Sequence, residues 1–124
     1  EIRDAYIINI GVEFEIIVLP NFNNNKVLSS CIESLKDYFL LDKWQLNQPV
    51  FLRDLYVRLD RIDGVQTVKN VKLLNKNNTL LGYSQYAYDI DSATQNQVIY
   101  PSLDPSIFEI RYPNEDIKGR VVPL

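Results

Sequence analysis

The first twenty residues alternate. Tyr6, Ile8, Ile10, Val12, Phe14, Ile16 and Val18 are apolar, and Asn9, Gly11, Glu13 and Glu15 stand between them through the middle. Period two with β-branched and aromatic residues predicts a strand over Tyr6–Leu19, one face buried and one wet. At its end both faces turn apolar (Ile16, Ile17, Val18, Leu19), which places that part between neighbours. So long a strand rarely stays straight in a small domain, and Gly11 is the expected bend, since glycine permits a bulge.

After the turn formers Pro20 to Asn25 the period becomes helical. Leu28, Ile32, Leu35 and Phe39 form one row with Val27, Cys31 and Tyr38 beside it, an amphipathic helix from about Lys26, capped by Asn24 or Asn25. Asp42–Val50 has no clear period, and Trp44 there reads as a hydrophobic plug over the end of the helix pair. A second helix is expected over Phe51–Arg61, with Leu52, Leu55, Leu59 and Ile62 inward and Asp54 and Arg58 paired four apart. Asp63-Gly64 ends it, Gly64 serving as a left-handed structural turn. Val65–Leu74 reads as a strand with a bulge between Val68 and Val71, where its alternation slips. Asn75 to Asn78 reads as a hairpin turn, and a third strand is expected over Leu80–Tyr88.

These directions give an α+β fold: an antiparallel sheet with two helices on one face, in β-α-α-β-β order. From Asp89 the texture changes. Residues 1–91 read as the core, and 92–124 as an extended C-terminal arm with short strands over Ile107–Tyr112 and Ile117–Val122, packed on the core or on a partner. Pro101 and Pro105 bracket a connection expected to be extended and stiff.

At 124 residues the chain is one domain able to bury an ordinary core. A composition 46% hydrophobic and 23% charged argues against disorder, and a net charge of −3 offers no general attraction to nucleic acid or anionic membrane. No apolar run approaches the roughly 20 residues of a membrane span. The single cysteine, Cys31, reads as a buried inert thiol, and a chain that begins at Glu1 without any methionine reads as a piece of a longer protein.

Histidine is absent, which removes the commonest general base. The four scattered glycines build no phosphate loop. Two acid pairs, Glu13 with Glu15 and Asp89 with Asp91, leave a carboxylate- and metal-dependent hydrolase open, against a solvated strand face and a turn. Tyr83, Tyr86 and Tyr88, with Arg58, Arg61, Lys69 and Lys72, leave single-stranded nucleic-acid binding open, against tyrosines used in protein contacts.

Two stretches carry a family resemblance. Pro49-Val50-Phe51-Leu52-Arg53-Asp54-Leu55, continuing through Arg61-Ile62-Asp63-Gly64-Val65 to Val68-Lys69-Asn70-Val71, resembles the helix, turn and strand of baseplate J-like proteins of contractile phage tails. Val98-Ile99-Tyr100-Pro101, Asp104 to Pro113 and Asp116-Ile117-Lys118-Gly119 resemble the C-terminal end of the baseplate wedge proteins of T4-like phages, larger relatives of that family. The resemblance implies a structural virion protein of the tail baseplate, assembled in the host cytoplasm, that contacts copies of itself and binds other wedge proteins around the tail hub. It implies no catalysis, and no cofactor, metal, nucleic acid, membrane or small-molecule substrate is expected. The apolar groups of the tail, Tyr100, Ile107, Phe108, Ile110 and Tyr112, are the expected assembly interface, with a dimer as the expected product.

Overall fold

The computed structural model describes residues 6–40, 44–102 and 105–124. Its axis is β1 (Tyr6–Val18), whose alternate residues Ile8, Ile10, Val12, Phe14 and Ile16 are buried. Then come α1 (Asn24–Tyr38), β2 (Val50–Phe51), α2 (Leu52–Asp60) and β3 (Val65–Asn75). The C-terminal third adds β4 (Thr94–Gln95), β5 (Val98–Ile99), β6 (Ser106–Glu109), the short α3 (Pro113–Asp116) and β7 (Ile117–Val121). The class is α+β.

One side of β1 carries β3, antiparallel as expected. Asn70 faces Glu15 and Val68 faces Ile16, so Lys69 is an extra residue where the alternation slips between Val68 and Val71. A second extra residue, Gln66, follows from the pairs Ile17–Thr67 and Val18–Val65. On its other side β1 carries two parallel partners end to end, β6 along Tyr6–Asn9 and β7 along Val12–Ile16. The main sheet is therefore mixed, a correction to the wholly antiparallel one expected. A smaller antiparallel sheet has the order β2-β5-β4.

Gly11 does not bend β1, which runs through it unbroken. It sits where the edge partner changes from β6 to β7 and α3 crosses close by. A Cβ there would stand 3.2 Å from the Asp116 carbonyl and 2.9 Å from Lys76 Cε, so the glycine serves a close backbone approach.

The helices sit as the amphipathic pattern requires, α1 against β7 and α2 against β3, touching each other. The cap of α1 is Asn23 rather than Asn24 or Asn25, its side chain accepting from Lys26 N–H. The deepest stripe of α1 is Val27, Cys31 and Leu35, with Leu28 and Ile32 at its margin. Burial pushes the Cys31 thiol up to about 11. Helix α2 buries Leu55 and Leu59. The expected Asp54–Arg58 pair gives way to longer-range partners. Arg58 donates to the Ser34 carbonyl, pairs with Asp37 and lies over the Tyr38 ring, and Asp54 accepts from the Tyr38 hydroxyl. Trp44 packs against Tyr38 and Phe39 near the end of α1. Asp42 of the aperiodic stretch, and Asp104 between the two prolines, lie outside the described residues.

The strand expected over Leu80–Tyr88 does not form. Thr79–Leu81 is a 3-10 turn closed by Gly82 at φ 89°; in the chain beyond it Ser84 meets Asn9 on the outer face of β1, while Tyr86 and Tyr88 lie against Tyr6 and Phe108. Asparagine side chains hold its backbone: Asn9 Oδ1 accepts from Ser84 N–H at 2.6 Å, and Asn75 Oδ1 from Tyr88 N–H at 2.8 Å. Donors held this way are not offered to a β3 ladder.

Candidate assembly surface

The tail residues expected at the interface do not form one exposed surface. Phe108 is 1% exposed and Ile110 is buried; both belong to the main core, and Phe108 meets Tyr88 edge-on. Ile107 is half-buried beside Ile7, its register partner on β1. Tyr100 stands 47% exposed, its carbonyl accepting from the Tyr88 hydroxyl at 2.5 Å. Tyr112 is half-buried, meets Tyr83 edge-on, and donates to the Leu81 carbonyl at 2.9 Å. Gly64 lies at φ 96° behind α2, where a Cβ would meet Phe22 at 2.6 Å and Val27 at 2.7 Å.

Buried polar groups fix this region. Asn9, 1% exposed, donates from Nδ2 to Glu109 Oε1 at 2.7 Å, and its carbonyl accepts from Lys76 N–H and Asn75 Nδ2. One residue of β1, through its side chain and its carbonyl, thus ties together β6, the end of β3 and the 82–88 segment. The Tyr83 hydroxyl lies 2.8 Å from both oxygens of the buried Asp116 carboxylate. Burial first, and that carboxylate second, push Tyr83 up to about 12. The anchored 3-10 turn presents Leu80, 93% exposed, with Leu81 beside it. Neither was expected at a surface, because an apolar pair followed by tyrosines reads as a strand.

The tyrosines raised for base stacking largely use their faces on one another. Tyr86 stacks on Tyr6 at 4.7 Å and lies parallel to Tyr88 at 6.1 Å. Of the residues paired with them for that reading, Arg58 is on α2 against Tyr38, whereas Lys69 and Lys72 are on β3.

Where the 82–88 segment does not reach, the outer face of the main sheet is open and charged. Two cross-strand rows run over it. Lys72, Glu13 and Lys118 form one, and Asn70, Glu15 and Arg120 the other. Arg120 donates from Nε to Glu15 Oε2 at 2.7 Å, with Nη2 on the same oxygen. Glu13 is the single acid between two lysines, and among the described residues neither lysine closes an ion pair. Glu13 and Glu15 share this face as expected, Glu15 engaged by Arg120 and Glu13 standing between the two lysines. Asp89 accepts from Ser92 N–H and Oγ, which holds its carboxyl below the usual range, in a turn with Asp91 exposed beside it. Among the described residues no group of three or more acidic or cysteine side chains is placed to hold a metal ion, and no helix is long and apolar enough to cross a membrane.

The i, i+2 spacing of Lys118 and Arg120 matches that of Glu13 and Glu15, a signal of pairing legible only once the two strands are known to be neighbours. The sequence matches no protein-family model, and no curated protein matches it.

Proposed function

We propose that this chain is a structural module of a contractile-tail baseplate, acting by self-association and by binding other wedge proteins within the virion. The observation that carries the reading is the paired resemblance, Pro49–Val71 to baseplate J-like proteins and Val98–Pro101, Asp104–Pro113 and Asp116–Gly119 to the wedge proteins of T4-like phages. Its support grows from where these stretches lie. The first supplies β2, α2 and most of β3; the second supplies β5, β6, the two ends of α3 and the start of β7. Their β3, β6 and β7 flank one strand, β1, and their β2 and β5 pair with each other in the smaller sheet, so the two stretches pack together. The chemistry agrees: Glu15 is engaged by Arg120, Asp89 by Ser92, and the stacked tyrosines by one another.

Molecular mass in solution tests the reading. A mass that rises with concentration is expected, and a chain that stays monomeric at high concentration overturns self-association through this part. Tight, salt-sensitive binding of a single-stranded oligonucleotide would replace it with the nucleic-acid reading. A melting temperature raised by magnesium would favour the hydrolase.

A further inference from the structure

Among the described residues the main sheet has three outer strands, and two carry features that block a further strand. Along β3 the extra residues Gln66 and Lys69 break the ladder, and the Tyr56 hydroxyl takes the outward N–H of Val71 at 3.1 Å. At β6, Asn47 closes Ser106 from outside, its N–H donating to the Ser106 carbonyl and its Oδ1 accepting from Ser106 N–H. β7 has neither. Its even residues face β1, as the bond from Val122 N–H to the Ile16 carbonyl shows, so Ile117, Gly119 and Val121 direct their backbone groups outward. Ile117, at the end of α3, is 3% exposed, so the open part of the edge is Gly119 and Val121, whose outward groups have no hydrogen-bond partner among the described residues.

We propose that the β7 edge is a docking site for an extended segment of a different protein, one that alternates acidic with apolar residues. Two independent features select that chemistry. On the outer face the row Lys72, Glu13, Lys118 ends in an uncompensated lysine at the open edge, and an acid on an added strand continues the alternation of sign. On the helix face a largely apolar cavity of about 320 Å³ opens beside Ile117, lined by Phe39, Leu40, Ile110 and Pro113 together with Lys36 and Glu109, and it receives an alternate, apolar side chain. A second copy pairing its own β7 here would set Lys118 and Arg120 against their like, which is destabilising. Backbone bonds would give the affinity, and the two faces the register.

This inference deepens the assembly reading and rests on it, naming the kind of partner strand. The test uses the 124-residue chain with two short blocked peptides, one alternating valine with glutamate and one alternating valine with lysine. Amide shifts are followed by NMR. The glutamate peptide is expected to move the amides of Gly119 and Val121, and the lysine peptide to leave them. Lys118→Glu, at an exposed position, reverses that preference, and Lys118→Ala abolishes it. No shift with either peptide, equal shifts with both, shifts centred on β3, or a preference unmoved by both substitutions overturns the proposal. A chain that self-associates without binding the peptide would sink this inference and leave the assembly reading standing. A monomer that binds the peptide would do the reverse.

Discussion

Gly119 of β7 lies directly against the ring of Phe14, its partner across the parallel pair. A Cβ on the glycine would stand 2.1 Å from Phe14 Cζ, far inside van der Waals contact. Phe14 is among the largest fully buried side chains, and the missing side chain opposite leaves room for it. Gly119→Ala is therefore an overpacking substitution and should cost about 1–3 kcal/mol. A urea midpoint equal to that of the wild type would show that the ring has somewhere else to go.

Gly64 combines strain with crowding. At φ 96° a β-branched residue is in the wrong region of backbone space, and its Cβ meets Phe22 and Val27 as well. Gly64→Val should cost more than the roughly 1–3 kcal/mol of backbone strain alone. Denaturant unfolding measures it, and a loss under about 1 kcal/mol, the centre of the distribution for substitutions in general, contradicts the account.

Much of the fold was legible where the governing interactions are local. The alternation of Ile8 to Val18, the helical row from Val27 to Phe39, the slip near Lys69 and the turn at Gly64 each reflect short-range geometry. The parallel pairing of β6 and β7 was not legible, because it joins residues about a hundred positions apart and leaves only short alternations behind. The segment after Leu80 was misread for a related reason. Its composition suits a strand, but Asn9 and Asn75 hold its N–H groups from a distance. As for the surface, Tyr100 and Tyr112 keep exposed area, whereas Phe108 and Ile110 are core; alternation marked all of them as apolar without saying which side was wet.

Asn9 is the polar centre of this arrangement. Asn9→Leu keeps the bulk but leaves Ser84 N–H and Glu109 without their partner. An unsatisfied buried group costs about 1–3 kcal/mol, and the 82–88 segment should loosen first. Hydrogen exchange at Ser84 checks this: protection unchanged from the wild type would mean that the segment is held elsewhere.

Alkaline pH should weaken the fold. Tyr83 and Tyr38 are both pushed from 10.0 up to about 12, chiefly by burial, with Asp116 and Asp54 adding to the respective shifts. A group raised on folding stabilises fully below its unfolded value and loses that contribution as pH climbs through the folded one. Stability should therefore fall between about pH 10 and 12, with a shallower fall in Tyr83→Phe. A urea midpoint flat across that range would contradict the shift.

Self-association is the claim on which the functional account stands. Phe108→Asp cannot probe it, since a carboxylate at a site 1% exposed would unfold the chain before it separated two copies. Tyr100, 47% exposed, can be changed without opening the core. Sedimentation equilibrium of the wild type beside Tyr100→Asp, over a wide concentration range, is the direct measurement. The account predicts a wild-type mass that climbs to at least twice that of the 14.4 kDa chain, and a folded variant that needs higher concentration to do so. A wild type that remains at the mass of one chain at the highest concentration contradicts it.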